Sequence, residues 1–263
     1  MGPALSAKDM ILATLKRLRL NTLKYGVAQY TGAAVSALSI SDRMVLTNMA
    51  AELGAQTGLI ECDATTFLAL KNAGVDMQDA PEFHGDPGAT FLATWEFDAN
   101  KLVPQVAAPH SPDNVDDVDR FQNVTIDQAY IGACTGAKLN DLHMAAEVLK
   151  GRKVARNVRL LIAPASTRMT AAAAADGTLA TLTAAGAILL PSGCGACAGY
   201  GAGILAEEEV CISTTARNFK GRMGAVSSQV YLGSPYTVAA SAVTGRITDP
   251  RELIDSQSKK LAA

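Results

Sequence analysis

Cys134, Cys194 and Cys197 are the residues whose types and spacing best suit chemistry. Cys194 and Cys197 form a C-x-x-C flanked by Gly193, Gly195 and Gly199, so backbone can pass close to whatever the sulfurs hold. Three chemistries are open to them. Zinc would need a fourth protein ligand, but no second C-x-x-C exists and His84, His110 and His143 show no paired spacing. A thioredoxin-like redox pair would use Cys194 and Cys197 and leave Cys134 idle. A [4Fe-4S] cluster would take one thiolate at each of three irons and leave one iron not ligated by protein. That open iron is a Lewis acid able to help a hydroxy acid lose hydroxide. Arg217 and Arg222 share one glycine-containing segment, and a guanidinium fork matches a carboxylate in two parallel hydrogen bonds. A hydroxy di- or tricarboxylate is the substrate class these residues imply.

These residues need elements to position them. Ser6-Ala7-Lys8-Asp9 reads as a capping box opening a helix with Met10, Ile11, Leu15 and Leu18 on its apolar face. A second helix starts near Asp42, runs through Met44, Val45, Met49 and Leu53, and stops at Gly54. Two irregular stretches follow, Asp79 to Gly88 and the proline- and aspartate-rich Pro104 to Asp119, of which Asp113 to Asp119 reads as a solvated linker. They place a domain boundary near 103, dividing the chain into 1–103 and 104–263. Beyond it the pattern alternates: strand Ala129 to Cys134, helix Ala137 to Lys150, strand Val158 to Ala163, and an Ala-rich helix over 168–185. Ala187 to Leu190, Val210 to Ser213 and Gln229 to Leu232 read as further strands, and Ser234-Pro235 opens a last helix. Short apolar strands alternating with helices predict an α/β fold with a mostly parallel, doubly wound sheet. Ligands of such sheets bind on loops beyond the carboxyl ends of the strands, which is where the three cysteines and both arginines fall.

Composition narrows the function classes. The 263 residues suffice for one large or two modest domains, and 49% apolar with 18% charged residues describes a globular chain. A net charge of -2 offers no footprint for nucleic acid or an anionic membrane. No run is long and apolar enough for a membrane span, and the first residues lack the layout of a secretory signal, so the expected location is cytoplasmic. An odd count of 5 cysteines in a reducing compartment fits thiolate ligands plus spare core thiols, Cys62 and Cys211, better than disulfides.

Several segments together carry a family resemblance. Ile131-Gly132-Ala133-Cys134-Thr135-Gly136, Ser192-Gly193-Cys194-Gly195-Ala196-Cys197 and Arg217-Asn218-Phe219-Lys220-Gly221-Arg222-Met223-Gly224 resemble the three signature segments of the aconitase superfamily. Thr47 to Ala55, Tyr231 to Pro235 and Ala239 to Pro250 continue the match, which is nearest to large subunits of 3-isopropylmalate dehydratase and homoaconitase. The resemblance implies two α/β domains of the aconitase type, three-layered with mostly parallel sheets. It implies one [4Fe-4S] cluster per chain on Cys134, Cys194 and Cys197, substrate carboxylates on Arg217 and Arg222, and Asn48 and Glu52 facing the cluster. It points to a dehydratase component of leucine biosynthesis, truncated or split, with homoaconitase, aconitase or dimethylmalate dehydratase components as alternatives. A non-catalytic fragment or metal-binding scaffold is the reading from another class. The family's first domain, with its His and Asp residues, is expected to be supplied separately. The base is expected on a swivel-domain small subunit, so no catalytic acid or base is assigned to this chain. Three positions depart from the pattern: Ala133 where the family usually has Ser, and Gly136 and Ala216 where it has Asn. Each removes a hydrogen-bonding side chain near the sulfurs or the open iron.

Overall fold

Two hydrophobic clusters lie on opposite faces of one seven-stranded sheet, and the alternation of side chains along its strands separates them. The computed structural model describes residues 2–75 and 84–254. Helix α1 (Ala7–Leu18), strand β1 (Val27–Gln29), the short α2 (Ala33–Ser36), α3 (Ile40–Asn48), β2 (Thr57–Leu59) and α4 (Ala64–Asn72) form the first stretch. The second begins with β3 (Gln105–Ala107), β4 (Val115–Asp117), β5 (Gln128–Gly132), the single turn α5 (Ala133–Gly136) and α6 (Leu139–Leu149). It continues through β6 (Arg159–Ala163), α7 (Thr167–Ala175), α8 (Thr178–Ala185), β7 (Ile188–Leu189), β8 (Val210–Ser213), β9 (Gln229–Leu232) and α9 (Pro235–Thr244).

The sheet order is β4-β3-β9-β8-β5-β6-β7, with β9 through β7 parallel and β3 antiparallel to both neighbours. Ala129, Ile131, Leu160, Ile162, Ile212 and Tyr231 point into one core with residues of α6, α7, α8 and α9. Tyr130, Leu161, Ala163, Cys211, Val230 and Leu232 point into the other, where α1 and α3 contribute Ile11, Leu12, Leu15, Val45 and Leu46. The α/β architecture and mostly parallel mixed sheet are as the alternation predicted. From β5 the chain steps to β6 and β7 on one side, then returns to β8 and β9 on the other. The loops after β5 and β8 therefore flank the point where the direction of winding reverses, the usual ligand crevice of such sheets.

Helix α1 opens with the expected capping box: Ser6 accepts from Lys8 N, and Asp9 accepts from Ser6 N at 2.9 Å. Ile11 and Leu15 are buried, with Met10 and Leu18 packed at the margin. Four expectations need correction. Asp113 to Asp119 is no solvated linker: it contains β4, whose Asp116 and Asp117 pair with the Lys16 ammonium at 2.7 Å and 3.0 Å, which makes the acidic edge compatible with packing, and the irregular stretch before it holds β3. The Ala-rich helix is two helices, divided where the Asp176 carboxylate accepts from Thr178 N at 2.9 Å and restarts the turn. Strand β5 ends at Gly132, so Cys134 lies on the α5 turn beyond it. Cys62 is half-buried, unlike the fully buried Cys211, because it sits between β2 and α4, a helix with no buried residue. Of Asp79 to Gly88, residues 79–83 lie outside the described residues. Among the described residues, no helix is long and apolar enough to cross a membrane.

Candidate metal centre

Strand β5 delivers Cys134 through a strained turn. Ala133 takes φ +67°, a left-handed conformation that costs a residue with a side chain about 1–2 kcal/mol. The turn is fastened to the end of β8 by Thr214, whose Oγ1 accepts from Gly132 N at 3.0 Å and donates to the Gly136 carbonyl at 3.0 Å. A Cβ built on Gly136 would lie 2.2 Å from Thr214 Cβ and 2.5 Å from the Thr214 carbonyl oxygen. The asparagine that the resemblance expects at this position has no room here. The Cys134 thiol is exposed and accepts from Asn48 Nδ2 at 3.7 Å. Its carbonyl accepts from Lys138 Nζ at 3.3 Å, and Lys138 also pairs with Asp141 at 3.0 Å.

Cys194 and Cys197 follow β7 on a tight turn in which Cys197 N donates to the Cys194 carbonyl at 3.0 Å. The Ser192 and Thr170 hydroxyls, 3.0 Å apart, tie the segment to α7. Cys194 is exposed and Cys197 buried. Burial pushes the Cys197 thiol above its ordinary range, the Arg222 guanidinium opposes that shift through a hydrogen bond and its charge, and Cys194 and Cys134 add to it. The buried Cys197 thiol thus feels both Cys194 and Cys134, although Cys134 comes from a different strand end.

The arginine loop follows β8. Asn218 is fully buried and anchors it, donating to the carbonyls of Ala108 at 2.8 Å and Val230 at 3.0 Å. Arg217 Nε donates to the Glu52 carboxylate in an ion pair whose acid is buried. The other Glu52 oxygen, Arg222 Nε and Tyr30 Oη are buried and have no hydrogen-bond partner among the described residues. Burial, reinforced by the Glu52 charge, pushes the Tyr30 phenol up and keeps it protonated. Lys8, wholly buried in the first turn of α1, donates to the Thr215 carbonyl at 2.8 Å and to Met49 Sδ at 3.4 Å. Burial first and Lys138 second lower its pKa to about 8, against the opposing charges of Glu52, Asp141 and Cys197.

Cys134, Cys194, Cys197, Asn48, Glu52, Arg217 and Arg222 therefore belong to one connected neighbourhood. Lys8, Thr214, Asn218 and Tyr130 join it without having been singled out from sequence. Lys8 had a signal, since it stands three, four and seven residues before Ile11, Leu12 and Leu15, on the apolar stripe. Among the described residues, no three His, Cys, Asp or Glu side chains are arranged to bind a single metal ion. A four-iron cluster makes a different demand, one thiolate on each of three irons. The donor set suits such a group: three thiols on strand-end loops, a guanidinium at one of them, and buried polar atoms still lacking partners.

A model of the aconitase family (aconitate hydratase) matches residues 1–123 and 116–245. The chain is 45% identical over 247 residues to the probable methanogen homoaconitase large subunit of Methanosarcina mazei, covering 94% of this chain and 62% of that one. It is 44% identical over 256 residues to 3-isopropylmalate dehydratase large subunit 1 of Pyrococcus furiosus, covering 97% and 60%. The 3-isopropylmalate dehydratase large subunit of Nitratidesulfovibrio vulgaris is 44% identical over 247 residues, covering 94% and 58%. The chain thus spans about three fifths of the length of the curated relatives it matches.

Proposed function

The chain belongs to the aconitase family, and from that premise we propose that it is the cluster-bearing portion of a hydro-lyase acting on a hydroxy di- or tricarboxylate. 3-Isopropylmalate is our first choice of substrate and homocitrate our second, in keeping with the names of the similar large subunits. The observation that carries the proposal is the tie between the two cysteine turns: Tyr130 of β5, the strand that leads to Cys134, donates to the Cys194 carbonyl at 3.2 Å, and Asn48 reaches the Cys134 thiol at 3.7 Å.

Cys134, Cys194 and Cys197 would hold a [4Fe-4S] cluster. When bound, it supplies a Lewis acid that polarises the C–O bond of a hydroxy acid so that hydroxide leaves without net redox change. Arg222 holds positive charge beside the thiolates and keeps a buried Nε–H for a carboxylate. Arg217 is oriented by Glu52, which fixes the guanidinium before substrate arrives and lowers the entropy cost of binding. Asn48 donates toward Cys134, and the second Glu52 oxygen can accept a hydrogen bond from a hydroxyl of substrate or from water. Because the chain spans about three fifths of its relatives, we assign turnover to an assembly with a swivel-domain small subunit and the portion of the relatives not matched here. We also propose that 1–103 and 104–263 correspond to two family domains.

Anaerobic reconstitution tests this. The expected product has a broad absorbance near 400 nm and roughly four irons per chain. Cys134→Ala, Cys194→Ala and Cys197→Ala should each abolish it, while Cys211→Ala should not. A chain that takes up no iron would refute the cluster. A loaded chain that dehydrates neither 3-isopropylmalate nor homocitrate, with the small subunit and missing portion added, would leave a metal-binding scaffold.

A further inference from the structure

Tyr130 is completely buried at the middle of β5, and its ring lies in the core, with Ala133, Ala196 and Cys197, on one face of the sheet. The strand makes room for that ring by omitting a side chain two residues on: a Cβ built on Gly132 would stand 2.1 Å from Tyr130 Cε1. At the far end of the ring the hydroxyl donates to the Cys194 carbonyl at 3.2 Å. The same carbonyl accepts from Cys197 N at 3.0 Å and so closes the C-x-x-C turn. One rigid side chain therefore has its backbone in the strand that delivers Cys134 and its tip on the turn that delivers Cys194 and Cys197.

We infer that Tyr130 is a positioning residue for the metal centre: a strut that holds the Cys194–Cys197 turn at a set distance from the Cys134 turn before any metal arrives. The inference rests on the cluster proposed above. A phenol suits this task because its planar ring has no internal torsion and complete burial holds χ1 and χ2, so only the hydroxyl rotor is free. The hydroxyl earns its place through direction, since removing it leaves the packing intact and loosens one attachment.

Tyr130→Phe keeps the ring and removes the strut's tip. Tyr236→Phe is the matched control, because the Tyr236 hydroxyl is bonded to Glu147 at the protein surface, away from the cysteines. Two measurements are made on the full chain. In the metal-free state, hydrogen exchange of the amides over 194–200 should quicken roughly three- to ten-fold in Tyr130→Phe, with the thermal midpoint little changed and the control unaffected. After anaerobic reconstitution, bleaching of the 400 nm absorbance by an iron chelator should quicken by a similar factor. Unchanged exchange overturns the strut. Faster exchange with unchanged chelator kinetics overturns its role at the metal centre. A wild-type chain that takes up no iron sinks the cluster and the purpose given to Tyr130 together, whereas a loaded wild type with an equally retentive Tyr130→Phe sinks the Tyr130 inference alone.

Discussion

Gly136 packs so closely against Thr214 that a side chain there would meet both the threonine side chain and its carbonyl. Strands β5 and β8 would have to part to admit one. Gly136→Asn, which restores the residue usual in the family, should therefore cost about 3 kcal/mol by overpacking, read as a lower urea midpoint. Ala133→Gly acts in the opposite sense, because glycine accepts φ +67° without steric cost. After allowing for the greater freedom of glycine in the unfolded chain, it should stabilise by up to about 1 kcal/mol. Lys8 gives a prediction in pH. Its pKa is about 8 when folded and 10.5 in the unfolded chain, so between those values the unfolded state binds more protons and stability rises with pH. The groups facing it, Lys138, Glu52, Asp141 and Cys197, remain in Lys8→Met. The stability difference, wild type minus Lys8→Met, should grow by on the order of 3 kcal/mol from pH 8 to 10.5 in urea titrations. A flat difference would show that the ammonium is solvated.

Among the elements, legibility followed the side-chain period. Strands β8 and β9 were readable to the residue because each is a short apolar run bounded by turn residues. Helix α1 was readable from its capping box. Strand β4 was hidden because its aspartates read as solvent-facing, and only the distant Lys16 makes an acidic edge acceptable, while β3 was hidden between Pro104 and Pro109, which read as irregular. The site was half legible for the same reason. Cysteines and arginines announce themselves by type, whereas Thr214, Asn218 and Tyr130 act through backbone partners distant in sequence. The parallel pair β1–β2 is a further case, two strands of three residues each beside an α4 that buries nothing. So small a sheet has little stability of its own. Amides of 57–72 should exchange several orders of magnitude faster than those of β5 and β6, as read by native-state hydrogen exchange. Equal protection would mean that this stretch shares the stability of the main core.

For the whole molecule, the central sheet is sealed on one face by α6 to α9 and on the other by α1 and α3, so its core is closed by protein alone. Removing metal should leave that core folded, unlike small domains whose only core is the metal. Chelator should abolish the 400 nm absorbance while the thermal unfolding transition persists as a cooperative step.

The hydrogen bond from Lys8 to the Thr215 carbonyl joins residues 207 positions apart. During synthesis, the first turn of the first helix must therefore wait for most of the chain to leave the ribosome before it finds its partner. Until then the Lys8 ammonium lacks the Thr215 carbonyl, and the start of the arginine loop lacks this tie to α1. On the proposed function, iron and sulfide would be taken up only after these distant segments have met, in a chain already folded around the site.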